Sequence, residues 1–479
     1  MVGQHISSHR WRSGCIGVKM NKWSGKHILI IGAARQGLAL ARYLADQGAI
    51  VTVNDQRTTE KFDSILKEYA NLNIRWILGS HPIDALNGID LVCVSGGVPL
   101  DLPILIEAQN RDLQISNDSQ IFMEENPATT IGITGSAGKT TTTTLVGEIA
   151  KSGLFPPRTA WVGGNIGLPL INFLPQINKN DLVILELSSF QLEQMTISPQ
   201  IAAILNITPN HLDRHGTLEA YTQAKTRILK FQKETDCAIL NREDPGSWNL
   251  APLVKGKLIS FGLSRPAKNQ IGTFCEREKL ILQTENREID IMPVEAIQLR
   301  GEHNLINVLA ACAIGYAAGL SVDGMQAAIA KVKGISHRVE LVREINHVRW
   351  YNDSIATAPE RTIAAIHAFN EPIVLLLGGK DKNLPWDRLA RLIHERVDHV
   401  VLFGDAAGKI EKAIGNVQPG QRPFTMTRCE KMADAILAAH EVSTPGDVVL
   451  LSPGGTSFDE FNDFEERGER FREWVSQLQ

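Results

Sequence analysis

Residues 129–145, TTIGITGSAGKTTTTTL, hold the side chains whose types and spacing say most about chemistry. The short apolar run 131–133 predicts a buried strand. The turn Gly135-Ser136-Ala137-Gly138 carries little side-chain bulk, and Lys139 with five threonines opens a helix. Backbone N–H groups of such a turn point at an anion, the lysine adds a positive charge, and the Thr140 hydroxyl can ligate Mg²⁺. Residues 135–141 therefore read as a phosphate cradle. The spacing is shorter than the usual G-x-x-x-x-G-K-[ST], because Ile133 stands where the first glycine would be, so the reading rests on G-x-x-G-K-T.

Other reactive types follow at the ends of predicted strands. The run 181–187, DLVILEL, is a buried strand that delivers Glu186 at its end, just before Ser188-Ser189-Phe190-Gln191. A Mg²⁺ ion held by nucleotide phosphates usually takes only one or two protein carboxylates, which fits one strand-end acid beside a phosphate loop. A solvent-facing acid is the bland alternative. After the predicted strand 201–207, His211, Asp213 and His215 crowd one loop, and the next helix places Tyr221, Lys225, Ile228 and Leu229 at helical spacing. An unpaired ammonium on an apolar stripe is costly, so spacing alone favours a Lys225 that snorkels to water. His211 taken alone reads as a loop histidine without a metal. Asn304 and Asn307 open a further helix, where an Asn can cap the helix or bond a base edge.

These groups need elements that bring them together. The opening KHILIIGAARQGLALARYLADQGAIVTVND predicts strand, turn, helix and a second strand ending at Asp55, the start of a Rossmann-like unit. Ala34 replaces the middle glycine of the dinucleotide fingerprint. Asp55 stands where a ribose-binding acid would, for a nicotinamide dinucleotide or for a UDP-sugar alike. A strand over 89–94 ends in the small-residue loop Ser95-Gly96-Gly97. Toward the C-terminus, a strand into Tyr351-Asn352-Asp353-Ser354, a helix with Pro359 in its first turn, and strands over 372–379, 399–404 and 447–452 repeat the pattern. Polar groups again follow strand carboxyl ends, where open α/β sheets bind ligands.

The expected architecture is α/β with three domains: a Rossmann-like domain over 25–127, a P-loop ATP-binding domain over 128–334, and a Rossmann-like domain over 335–479. Residues 1–24 are basic, with Arg10, Arg12, Lys19 and Lys22, and lack the apolar stretch of a secretory signal. They read as a disordered extension; an early start with Met20 as the true one, or a transit segment, are the alternatives.

Composition excludes several classes. With 43% hydrophobic and 21% charged residues the chain is neither disordered nor membrane-embedded, and no apolar run reaches membrane-spanning length. A net charge of −4 without a basic, aromatic-interleaved patch argues against nucleic acid. Six cysteines without C-x-x-C spacing predict reduced thiols in the cytoplasm and no zinc site.

In order along the chain, TGSAGKT, ELSSFQLE, N-x-x-x-x-H-L-D, Y-x-x-A-K, G-x-H-N-x-x-N, H-R-x-E, N-D-S-x-A-T and SPGGTSFDEFxDFEERG resemble the motifs of the Mur ligases, over residues 25–479. ELSSFQLE and the last block resemble the members that add D-glutamate to UDP-N-acetylmuramoyl-L-alanine in peptidoglycan synthesis. The resemblance implies ATP, two Mg²⁺ ions, small-molecule substrates, no nucleic-acid or membrane partner, and a cytoplasmic monomer. It assigns ATP to Gly135, Ser136, Ala137, Gly138, Lys139, Thr140, Thr141, Asn304, Arg338 and Asp353, and metal to Thr140, Glu186, His211 and Lys225. Catalysis falls to Lys139, Glu186, His211 and Lys225, the last as a carbamate, which reverses the snorkelling preference. It gives the UDP side Arg35, Gln36, Arg57 and Ser95, the reacting end Asn165, and the D-glutamate pocket Thr357, Lys382, Ser457 and Phe464. Ile355 departs from the pattern, for many members carry lysine there, which leaves a place for another cation. Asn210 also departs, standing where an Asp is common. Rival readings are a sister ligase, a nicotinamide-dependent oxidoreductase built on the first domain, and a non-catalytic P-loop switch.

Overall fold

A computed structural model of the chain describes residues 21–332, 334 and 336–479. Its central strands, such as HILII, LVILE and IVLLLG, are apolar along nearly their whole length because helices cover both faces of each sheet. Three sheets result, one per domain.

The first sheet is parallel and five-stranded, in the order Ile74–Leu78, Ile50–Asp55, His27–Ile31, Leu91–Val94, Gln114–Ser116. The order reverses between His27–Ile31 and Leu91–Val94, so the Gly32 and Ser95 loops flank the switch-point crevice. Of the expected extension, residues up to 20 lie outside the described residues. Residues 21–24 form a turn on this domain, with Trp23 buried and its indole N–H donating to Glu125 Oε1 at 3.2 Å.

The central sheet has nine strands. The phosphate-loop strand Thr129–Thr134 runs parallel between Leu182–Glu186 and Ile201–Ile204, and Ala160–Gly164 forms the edge beyond Leu182–Glu186. The helix Lys139–Gly153 packs with Glu302–Ala317 and Val322–Ile329 on one face, around Ile133, Leu145, Ile149, Cys312 and Met325. The strand expected over 201–207 stops at Ile204 because the next residues bond the phosphate loop instead: Asn206 accepts from Ser136 N–H at 2.9 Å through its carbonyl and from Ala137 N–H at 2.8 Å through its side chain. The far edge is an antiparallel addition, Ile271–Glu276, Lys279–Gln283 and Glu288–Pro293, that sequence reading does not foresee.

The third sheet has six strands in the order Glu340–Ile345, Val348–Asn352, Val448–Gly454, Ile373–Gly378, His399–Phe403, Thr425–Arg428, parallel except for its first pair. The boundary residue Ile335 lies outside the described residues. The domains touch at several points: Asn117 Nδ2 donates to Gln191 O at 2.8 Å, Arg214 donates to the carbonyls of Gly96 and Val98 at 3.0 and 2.6 Å, and Glu371 bridges Arg300 and Arg349 at 2.7 Å each.

Candidate active site

The phosphate loop is a glycine turn by necessity. Gly138 adopts φ +81°, and a Cβ there would lie 2.3 Å from Asn307 Oδ1, so backbone conformation and contact both demand glycine. Lys139 Nζ folds back onto the carbonyls of Gly135 and Ser136 at 2.9 and 3.3 Å. Burial lowers its pKa, Arg338 and Arg361 lower it further, and Glu186 opposes them. Ser136 Oγ donates to Thr208 O and receives the Tyr221 hydroxyl at 3.1 Å, while the buried Thr141 hydroxyl finds no partner among the described residues.

Register places Glu186 level with Ile133 on one side and Gly164 on the other. Its buried carboxylate accepts from Thr140 Oγ at 2.9 Å on one oxygen and from Asn165 Nδ2 at 3.0 Å on the other. Gln36, from the first domain, donates to Gly164 O at 2.6 Å, so the crevice of that domain opens toward Asn165. Arg35 begins the helix Arg35–Asp46, and its Nη1 lies 3.9 Å from Glu465 of the third domain, next to Phe464.

Lys225 does not snorkel. It is 1% exposed, with Nζ donating to Gly135 O at 3.0 Å and Thr134 Oγ at 3.2 Å and lying over the Tyr221 ring. The stripe turns its stem inward under the phosphate loop, where water cannot follow. Burial lowers its pKa well below the ordinary lysine value, aided by Lys139 and opposed by Glu186. A neutral amine is the form that adds CO₂ to give a carbamate. His211 is exposed with left-handed backbone, φ 53°, its ring edge against Phe190, which also stacks on His215.

No three His, Cys, Asp or Glu gather to hold a metal among the described residues. Thr140 and Glu186 nevertheless suit Mg²⁺, which takes its remaining ligands from phosphate and water. As an amine Lys225 does not suit this hard cation; as a carbamate it would.

Asn304 is not the cap of its helix. Gly301 holds that position, and Asn304 donates to Arg300 O at 2.7 Å while accepting from Asn307 at 3.2 Å. With Arg338, Arg300 and Tyr351 it lines a cavity of about 300 Å³ between the second and third domains. Arg338 is flanked by His337 and Val339 at φ +63° and +43°, strained backbone for a β-branched residue, held where the chain enters the third domain. Asp353 is buried, accepts from Ser452 Oγ at 2.8 Å, and is pushed up to about 7 by burial despite that bond and the nearby Arg338.

In the first domain, Ser95 Oγ donates to Gly32 O at 2.7 Å, and a Cβ on Gly37 would strike both. Asp55 does not wait for a ribose. Its carboxylate accepts from Ala33 N–H at 2.8 Å and from the backbone and guanidinium of Arg57, and these bonds hold its pKa down at about 2 against the effect of burial. Thr357 and the exposed Lys382 follow the strands Val348–Asn352 and Ile373–Gly378, buried Ser457 follows Val448–Gly454, and half-buried Phe464 opens the helix Phe464–Gln477.

Comparison with known proteins accounts for this assembly. The family descriptions "Mur ligase MurD-like, N-terminal domain", "Mur ligase middle domain" and "Mur ligase, glutamate ligase domain" match residues 26–117, 133–315 and 337–455. A UDP-N-acetylmuramoylalanine–D-glutamate ligase of Symbiobacterium thermophilum is 38% identical over 94% of the chain and 97% of that protein. The chain belongs to the Mur ligase family. A relative of the same name from Koribacter versatilis is 39% identical over 95% of this Mur ligase and 98% of its own length. Among solved structures, UDP-N-acetylmuramate-alanine ligase from Thermotoga maritima shares the fold at TM-score 0.56 and 19% identity, covering 94% of this chain and 99% of that one. MurF ligase from the same organism, in complex with ADP, matches at TM-score 0.53 and 18% identity over 95% and 96% of the two chains.

Two arginines of this Mur ligase escape sequence reading. Arg467 is fully buried and ties two site loops together, donating to Ser354 Oγ at 3.0 Å, Ser354 O at 2.8 Å and Gly455 O at 3.1 Å. Its place in DFEERG is the only signal, and its partners are distant in sequence. Arg361, in the first turn of the helix Pro359–Ile366, donates to Ile355 O at 3.0 Å.

Proposed function

We propose that this Mur ligase joins D-glutamate to UDP-N-acetylmuramoyl-L-alanine with consumption of ATP, in the cytoplasm and as a monomer. The observation that carries the reading is the meeting at Glu186, where Thr140 of the phosphate loop and Asn165 of the adjoining strand end bond the two oxygens of one buried carboxylate. The relatives' printed names supply the substrates, and among the described residues no helix is long and apolar enough to cross a membrane.

Residues 135–141 cradle the ATP phosphates, with Lys139 leaving its loop carbonyls to meet them; the cavity lined by Asn304 and Arg338 takes the nucleoside, with Asp353 behind its Val339 wall. Thr140 and Glu186 would hold one Mg²⁺, and His211 with carbamylated Lys225 a second; such ions neutralise phosphoryl oxygens. Arg35, Gln36, Arg57 and Ser95 seat the uridine diphosphate, and Asn165 orients the acyl end. The γ-phosphoryl group passes to the L-alanine carboxylate as its bond to ADP breaks. The neutral amine of D-glutamate, held by Thr357, Lys382, Ser457 and Phe464, then attacks the acyl phosphate. The tetrahedral intermediate releases phosphate, and the surplus proton leaves to solvent. Closure of the domains excludes water that would hydrolyse the acyl phosphate.

The test is phosphate release from ATP and UDP-N-acetylmuramoyl-L-alanine with D-glutamate, L-alanine, L-lysine or meso-diaminopimelate. Release with D-glutamate alone is expected. Turnover with another amino acid and none with D-glutamate overturns the reading.

A further inference from the structure

Two ligands held by different domains must meet for this reaction, so whatever fixes the first domain against the second helps to set the distance between them. Arg214 does this with two bonds. It stands half-buried on the short helix Leu212–His215 of the second domain, and its Nη1 and Nη2 donate to the carbonyls of Gly96 and Val98 in the first, at 3.0 and 2.6 Å. The guanidinium carbon lies 4.1 Å from the centre of the Phe190 ring. A ring against the flat face leaves the in-plane N–H groups for the carbonyls. The rigid fork serves two acceptors, one on either side of Gly97, where an ammonium offers no fixed pair of donors.

Both ends of this bridge lead to ligands. Gly96 and Val98 follow the strand Leu91–Val94, at the switch-point crevice of the first sheet. Their loop is shaped by its own domain: Ser95 N–H donates to Ile31 O at 3.0 Å, Ser95 Oγ to Gly32 O at 2.7 Å, and Val98 N–H to Ser95 O at 2.9 Å. Arg214 therefore bears on where the crevice sits, not on how it is formed. The segment that carries Arg214 is fastened in turn to the phosphate loop and to the exit of the Glu186 strand. Thr208 bonds the Ser136 hydroxyl through both its N–H and its carbonyl, each at 2.9 Å, and His215 Nε2 lies 3.0 Å from Ser189 Oγ, just beyond Glu186. Gln36 makes a second tie, from the first domain to Gly164 O at 2.6 Å. One tie leaves a domain free to pivot, and two from different elements fix it.

We propose that Arg214 is a positioning residue for the reaction: through the Gly96 and Val98 carbonyls it holds the ligand crevice of the first domain in register with the phosphate loop, so that the substrate carboxylate meets the γ-phosphoryl group of ATP. The assignment rests on the ligase reading above, and the two fail differently. Without D-glutamate-dependent phosphate release by the wild-type enzyme both fall; a wild-type enzyme that turns over makes the variants a test of Arg214 alone.

Arg214→Ala is expected to lower kcat by about 10²-fold, the effect of a misplacement of about 1 Å between reacting groups. Each ligand should still find its own domain intact, so the Kd values of UDP-N-acetylmuramoyl-L-alanine alone and of ADP alone, by calorimetry, should stay within about threefold of wild type. Guanidinium ion at a non-denaturing concentration should restore part of kcat in Arg214→Ala and none in wild type. Wild-type kcat in Arg214→Ala overturns the assignment, as does a loss that appears in the Kd of the UDP-linked substrate with kcat unchanged, since the arginine would then shape the crevice and not place it. If Arg214→Ala does not fold by circular dichroism, Arg214→Lys decides: kcat at least about tenfold lower with both Kd values unchanged supports the role, and wild-type kcat contradicts it.

Discussion

Replacing Gly138 with alanine tests the phosphate loop at the atom where it is tightest. The new Cβ would lie 2.3 Å from Asn307 Oδ1, about 1 Å inside an ordinary contact, in backbone at φ +81°. Left-handed backbone costs a non-glycine residue roughly 1–2 kcal/mol, and displacing Asn307 from Asn304 breaks a buried bond worth about 1 kcal/mol more. In the free protein the loop relaxes to relieve both. Nucleotide binding must then restore the cradle, so the cost of about 2–3 kcal/mol appears as ATP affinity weakened roughly 30- to 150-fold. Calorimetric titration of Gly138→Ala with ADP or a non-hydrolysable ATP analogue measures it, with circular dichroism confirming an intact fold. Wild-type affinity in a folded variant would refute the reasoning, because it would mean that nucleotide does not use these backbone donors.

Three further outcomes follow from the same geometry. Lys225→Ala should abolish phosphate release while ADP still binds, and short carboxylates such as acetate should partly restore the rate by taking the carbamate's place; a wild-type rate without them contradicts the role given to this side chain. Asp55→Asn should lower stability at pH 7 by on the order of 1–2 kcal/mol, since the folded pKa is held at about 2, below the ordinary 3.8. The contribution is present above the unfolded value and is lost as pH falls toward 2, so urea titrations of wild type and variant should converge on acidification; a difference that grows in acid contradicts it. Glu371→Gln should raise the KM for ATP roughly five- to thirtyfold, as the Arg300 and Arg349 bonds that close the nucleoside cavity lose about 1–2 kcal/mol; steady-state kinetics decides, with an unchanged KM against it.

The parallel core was legible because it obeys one rule: strands covered on both faces, such as LVILE and IVLLLG, are unbroken apolar runs bounded by small residues. The juxtaposition of Thr140 and Glu186 follows from two such strands lying side by side. The antiparallel edge was not legible, because its hairpin turns on Arg277 and Glu278 at φ +49° and +58°, where a hairpin of this type normally announces itself with Asn-Gly. Helical spacing placed Lys225 on the apolar stripe but could not say that the phosphate loop roofs it over. Asp55 has a related limit: its position in the βαβ unit is that of a ribose ligand, while its partners, Ala33 N–H and Arg57, are set by the path of the loop. Arg467 acts through Ser354 and the Gly455 carbonyl, on loops distant from it in sequence, contacts that no local pattern encodes.

Carboxylate activation at one shared site is tested most directly by following oxygen. UDP-N-acetylmuramoyl-L-alanine labelled with ¹⁸O in its carboxylate, incubated with enzyme, ATP and D-glutamate, should yield inorganic phosphate carrying one labelled oxygen by mass spectrometry, in step with amide formation. Unlabelled phosphate alongside amide product would contradict the acyl-phosphate route, and labelled phosphate without any dependence on D-glutamate would contradict the choice of amino acid.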